Sequence, residues 1–163
     1  MREDDKSEIA RMFCEVLEKQ VFLFPESMAA ADFTGEGDGY LVSAMTFRGK
    51  SRGGLMLAVP EAMAREMAAN FLGLEHDDPF VETTCGDSLG EILNITCGHM
   101  LTALFGDREV FDLAAPRPFS LTGPEAAILS RKQGCLVFRV DGYQVLLQAT
   151  FCKVPGEKPN AVH

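Results

Sequence analysis

The stretch Cys85-Gly-Asp-Ser-Leu-Gly-Glu-Ile-Leu-Asn-Ile-Thr-Cys-Gly-His99 lies inside the longest helical pattern of the chain, which runs from about Val81 to Phe105 and stops at Gly106. Each helical residue turns the chain by about 100°, so with Glu91 at zero Asp87 falls at about −40°, Asn94 at about −60° and Gly98 at about −20°. Ser88 and Thr102 fall on the same side. Leu89, Ile92, Leu93, Thr96, Met100, Ala103 and Leu104 take the opposite side. One side is written for a core. The other presents two carboxylates and a carboxamide in a row.

The flanking segments say what that helix packs on. Residues 7–22 carry Ile9, Met12, Phe13, Val16 and Leu17 at helical spacing, with Ser7 as the expected N-cap and Pro25 beyond the end. Residues 34–39 are turn chemistry. Tyr40 to Phe47 alternates as a strand, with Leu41, Ser43, Met45 and Phe47 on one face. A glycine-containing basic turn from Arg48 to Gly53 leads to a second strand, Gly54 to Val59. Pro60 opens a helix that ends at Leu72 before Gly73, with Met63, Met67 and Phe71 as its apolar stripe. Val110 to Leu113 reads as a short strand, and Ala115 to Pro124, with three prolines, as a loop. Cys135 to Val140 and Tyr143 to Lys153, joined by Asp141-Gly142, read as a hairpin. The fold class is α+β, a largely antiparallel sheet packed against long helices.

With 163 residues, a single domain over 1–163 is expected, with residues 1–6 and 155–163 as flexible tails. The chain is 47% hydrophobic and 24% charged, which excludes intrinsic disorder. No apolar run reaches the roughly 18–20 residues of a membrane helix, and the polar start Met1-Arg2-Glu3-Asp4-Asp5-Lys6 leads into no signal-peptide apolar block. The expected location is the cytoplasm, off the membrane. A net charge of −9 with scattered basic residues excludes phosphate-neutralising nucleic-acid binding. The five cysteines (14, 85, 97, 135 and 152) form no C-x-x-C pair, so they read as reduced thiols.

Gly90 and Gly98 both sit inside the helical pattern, at a cost of up to about 1 kcal/mol each relative to alanine. Gly98 lies one turn beyond Asn94 on the polar side, where it would make room for another backbone. A solvated helix face with glycines for close internal packing produces the same pattern. Periodicity alone leaves both readings open.

The spelling Asp87-x-x-x-Glu91-x-x-Asn94-x-x-x-Gly98 resembles the signature of the CheC/CheX/FliY family of chemotaxis phosphatases. A bare E-x-x-N is weak, since it recurs at Glu157 to Asn160, beside Pro159 at the chain end. The flanks resemble CheX-type chains as well. These are the hairpin with Gly49, Gly53 and Gly54, the run Leu55-Met-Leu-Ala-Val-Pro60 into the helix with Ala62, the exit Phe71-Leu-Gly73 and the stretch Pro118-Phe-Ser-Leu-Thr-Gly123. The resemblance covers most of residues 7–153. CheC-type chains carry two copies of the motif and CheX-type chains one. Here one credible copy stands at mid-chain, which favours the CheX type. Ile95 stands where many members have Met, and Gly90 loosens the helix, but neither removes a chemical group.

The resemblance implies an enzyme that hydrolyses the aspartyl phosphate of a CheY-like response regulator. It assigns Asn94 to orienting the attacking water and Glu91 to pairing with the regulator's lysine. Asp87, Ser88 and Gly98 are the expected partner-docking positions. No cofactor is expected on this chain, Mg²⁺ being supplied by the regulator, and a homodimer is implied. The alternative is a non-catalytic adaptor that binds or sequesters a phosphorylated receiver.

Two rival chemistries are weaker. Cys97 and His99 stand about 200° apart on a helix, too far around to share one metal, and His76 lies in the acidic turn Glu75 to Asp78, which a solvated loop explains. A thiol or serine hydrolase would need Cys85 or Ser88 activated by His76 or His99.

Overall fold

The chain folds as a sheet with helices on both faces, here described from a computed structural model over residues 1–37 and 39–153. Helix α1 spans Glu3–Val21 and strand β1 spans Glu26–Met28, followed by a single 3-10 turn over Ala30–Asp32. Strands β2, Tyr40–Arg48, and β3, Ser51–Pro60, form the first hairpin. Helices α2, Glu61–Leu72, and α3, Pro79–Phe105, follow. Strands β4, Asp112–Leu113, and β5, Arg117–Leu121, precede helix α4, Gly123–Ser130. Strands β6, Cys135–Val140, and β7, Tyr143–Lys153, form the second hairpin. Asp38, within the expected turn at 34–39, lies outside the described residues, as do the expected tail at 155–163 and the second E-x-x-N.

Each pairing is antiparallel, in the order β1-β6-β7-β3-β2-β4, with β5 also on the outer side of β2. The two hairpins meet along β3 and β7, which register Leu57 opposite Leu147 and Leu55 opposite Ala149. One sheet face carries Met45, Phe47, Leu55, Leu57 and Val59 into the main core, where they meet Ile9, Phe13, Met63, Met67, Ile92 and Leu93 from the helices. The other face carries Tyr40, Val42, Ala58, Val137 and Leu146 under Ala126 of α4 and Phe33. Burial on both faces explains the continuous apolar run Leu55 to Val59 in β3. Asp141 and Gly142 hold φ of 47° and 81°, the left-handed pair of a two-residue hairpin turn.

Two expectations need correction. Helix α1 begins at Glu3, not at Ser7, so residues 3–6 of the expected tail are helical. Glu3, Asp4 and Asp5 place three carboxylates in its first turn, where the helix dipole favours them. Asp5 also accepts the Arg2 backbone N–H at 3.1 Å. The segment expected as a loop at 115–124 contains β5 and the start of α4. Pro118 is tolerated because β5 is an edge strand, where a missing N–H breaks no inner ladder. Thr122 caps α4 by accepting the Glu125 N–H, and Glu125 returns a carboxylate to the Thr122 N–H at 2.7 Å.

One buried side chain ties the connection before β2 to the second hairpin. Gln144 is 8% exposed. Its carbonyl oxygen accepts from Thr34 N at 2.9 Å, from Thr34 Oγ1 at 3.1 Å and from Gly35 N at 3.2 Å, while its amide donates to Asp32 O. Gln144→Leu is expected to lower unfolding stability by about 1–3 kcal/mol, because it strands backbone donors without a partner. Urea denaturation of the two proteins measures this directly.

Candidate functional site

Helix α3 is held at both ends before its open side is reached. At its start Asp78 accepts the Phe80 N–H at 2.9 Å, Pro79 occupies the first turn, and the Thr83 and Thr84 hydroxyls donate to the Phe80 carbonyl at 3.0 and 2.6 Å. At its end the Phe105 ring lies tilted 5.3 Å from Phe111 and edge-on 6.4 Å from Phe151, centroid to centroid, and both of these lie 6.0 Å from Phe47 of β2. Between these ends Leu89, Ile92, Leu93, Thr96, Cys97, Met100 and Leu101 are buried. Thr96 satisfies its hydroxyl by donating to the Ile92 carbonyl at 2.8 Å.

The two glycines in question separate here. A methyl group at Gly90 would meet Pro116 Cβ at 3.3 Å and Ser43 Oγ at 3.7 Å, so Gly90 permits α3 to lie close on β2 and the approach to β5. A methyl group at Gly98 would meet nothing within 4 Å. Internal packing therefore accounts for Gly90 and gives no reason for Gly98.

The open stripe of α3 holds Asp87 and Glu91, both exposed, with Asn94 and Gly98 half-buried and Thr102 exposed. Among the described residues the side chains of Asp87, Glu91 and Asn94 form no hydrogen bond or ion pair. Asn94 follows Glu91 by three residues, so the carboxylate and the carboxamide stand about one turn apart on the same stripe. Ser88 departs from expectation. It is only 4% exposed, because its phase of about 60° from Glu91 carries it past the open stripe and into the packing. It cannot dock a partner directly. Ala103, expected inward, is exposed in the last turn.

The rival chemistries do not assemble. Cys97 is fully buried while His99 is exposed, so they face different surroundings. Burial pushes the Cys97 thiol up to about 12, which keeps it protonated and inert. Cys85 donates to the Glu82 carbonyl at 3.4 Å, and His76 meets the Asn70 side chain at 3.2 Å. Among the described residues no group of three or more His, Cys, Asp or Glu is placed to hold a metal ion.

One residue on this stripe escapes the sequence reading. Phe80, 57% exposed, lies eleven residues before Glu91 and hence about 20° from it in helical phase. Carrying the helical wheel one residue upstream of Val81 would have found it.

An exposed carboxylate beside an uncharged carboxamide, on a helix fixed at both ends, can take a cation and orient a polar molecule. The family described as Chemotaxis phosphatase CheX matches residues 41–139. The fold is similar to that of chemotaxis protein CheX from Vibrio vulnificus, at a TM-score of 0.68 and 20% identity over 93% of this chain and 99% of that one. It is also similar to CheX in the CheX–CheY–BeF3–Mg²⁺ complex from Borrelia burgdorferi, at 0.62 and 17% over 92% and 99%. A CheX from Desulfovibrio desulfuricans gives 0.68 and 14% over 91% and 99%. At these identities the likeness to solved structures is one of fold. No curated protein matches the chain. The family match spans both strands of the first hairpin, the whole of α3 and most of β6, well over half of the chain, and this protein belongs to the CheX family of chemotaxis phosphatases.

Proposed function

We propose that this protein hydrolyses the aspartyl phosphate of a CheY-like response regulator, using Asn94 to orient the attacking water and Glu91 to dock on the regulator's active-site lysine. The observation that carries the reading is the Glu91–Asn94 pair, uncommitted to any internal partner and presented on a helix whose core side, Leu89, Ile92, Leu93, Thr96 and Met100, is buried. The family match and the fold shared with a CheX captured in complex with CheY support it.

The chemistry asks little of this chain. An aspartyl phosphate is an activated acyl phosphate, and phosphoryl transfer is mostly positioning and electrostatics. The regulator brings its own Mg²⁺ and lysine. What remains is to hold a water in line with the bond that breaks. The Asn94 carboxamide supplies one acceptor and two donors without charge. A carboxylate at that position would repel the approaching phosphoryl oxygens. Glu91 in turn would become desolvated against the lysine, an interaction worth a few kcal/mol when one partner is removed. Asp87 adds a second carboxylate to the docking edge. We further propose that the protein works as a homodimer.

A phosphorylated CheY-like receiver, mixed with substoichiometric protein, provides the test. Wild type is expected to clear many equivalents of receiver phosphate. Asn94→Ala should dock normally yet lose turnover by about 100-fold or more, the cost of a misplaced reactant. Glu91→Ala should weaken docking and turnover together. Phosphate loss that stops at one equivalent would instead identify an adaptor. Turnover that survives Asn94→Ala would remove the mechanism.

The two glycines give a second test with opposite signs in one variant. Gly98→Ala is expected to raise stability by about 0.5–1 kcal/mol, since its methyl meets nothing. The same variant should bind the receiver more weakly. Gly90→Ala should gain less, because its methyl meets Pro116. Urea denaturation and a receiver titration on the same samples read both effects. A more stable Gly98→Ala protein with undiminished binding would strip this position of its docking role.

A further inference from the structure

We infer that Phe80 is the apolar anchor of the receiver-docking surface, extending it about three turns toward the start of α3. The inference rests on the phosphatase reading above and adds a contact that the Asp-Glu-Asn-Gly motif does not contain.

Three observations carry it. Phe80 is the one large apolar side chain of α3 that stands prominently exposed among the described residues. Its helical phase lies within about 20° of Glu91, at an axial distance of about 16 Å. Its backbone is also fixed on both sides of the peptide unit. The N–H is held by Asp78 and the carbonyl accepts the Thr83 and Thr84 hydroxyls. An exposed aromatic on a frayed helix end would be unremarkable. One on a capped end, in line with the unpartnered carboxylates, is pre-organised.

The scale fits. A standard interface covers about 800 Å² on each partner, a patch about 30 Å across, so a contact centred between Glu91 and Phe80 holds both. Aromatic anchors of this kind dominate binding energies where neighbouring polar contacts set register.

Charge selects the occupant. Asp87 and Glu91 lie between Phe80 and Asn94 on the same stripe. A second copy of this chain, docked face to face, would set these carboxylates against each other. An anionic membrane would meet them and a chain of net charge −9. A receiver presenting a lysine and a bound Mg²⁺ meets them favourably.

Steady-state hydrolysis of the phosphorylated receiver, run against receiver concentration, tests the inference. Phe80→Ala should raise KM by about 10- to 100-fold with kcat at saturation within about twofold of wild type. Phe80→Leu should recover most of the loss. Phe24→Ala removes another aromatic, 67% exposed and off α3, and should change neither constant. Thermal melts of each variant show whether the fold is intact, as the exposure of Phe80 leads us to expect. An unchanged KM in Phe80→Ala, with Asn94→Ala still inactive, would overturn the anchor and leave the phosphatase reading standing. So would a loss confined to kcat, or a change in sedimentation of the free protein without a change in KM. Absence of both turnover and receiver binding in wild type would overturn the two together.

Discussion

The seating of α3 is the constraint on which the rest of this structure depends. A helix with glycines at 86, 90 and 98 is a poor helix by itself. At about 1 kcal/mol each, the three glycines cost about 3 kcal/mol of intrinsic helix stability. Burial of Leu89, Ile92, Leu93, Met100 and Leu101 contributes about 1.5–3 kcal/mol per side chain, so packing outweighs propensity severalfold. The aromatic group of Phe47, Phe105, Phe111 and Phe151 then fixes one end and the Asp78 cap the other. With the ends and the inner faces settled, the remaining stripe is free to carry residues that do nothing for stability.

That freedom is visible in what the stripe lacks. Some of the chain's other charges are paired. Arg2 pairs with Asp5, Lys6 with Glu3, and Arg11 with Glu8 and Glu15 along α1. Lys50 meets Glu109 at 3.0 Å. Asp87 and Glu91 stand on an equally exposed helix surface and have no such partner among the described residues. Exposed pairs contribute little, typically under about 1 kcal/mol, so their absence costs the fold almost nothing. It leaves two carboxylates available to an incoming cation without an internal contact to break first.

How far the sequence was legible follows from the length scale of each signal. The 27-residue α3 and the two hairpins carry enough repeats for their period to be read, and their cores agree with it down to Met63 and Met67. Strand β1, three residues long, contains too little alternation to recognise. Strand β5 was hidden by Pro116 and Pro118, because a sequence does not say which strand will be an edge. The Thr122-x-x-Glu125 capping box was present in the chain but masked by the same prolines. In the site, the wheel placed Asp87, Glu91, Asn94 and Gly98 on one stripe, yet it placed Ser88 there too. A phase near the border is decided by what packs alongside, which the helix itself does not encode. Gly90 and Gly98 look alike in sequence, and only the position of Pro116 separates them.

The different burial of the two motif residues matches the different tasks proposed for them. Asn94 is half-buried, so its neighbours leave it less room than an exposed side chain has before any partner arrives. A group that held a water in one geometry would gain from that, since positioning is the part of phosphoryl transfer the proposed role leaves to this chain. Glu91 is exposed and retains its rotamers. Ordering it on docking costs up to about 1.5–2 kcal/mol, which a desolvated pair with a lysine can offset. On that proposal, confinement at Asn94 would favour rate, and mobility at Glu91 would favour capture and release. Exchanging the two environments would weaken both, because a mobile amide would scatter the water and a confined carboxylate would suffer desolvation before its cation was in reach.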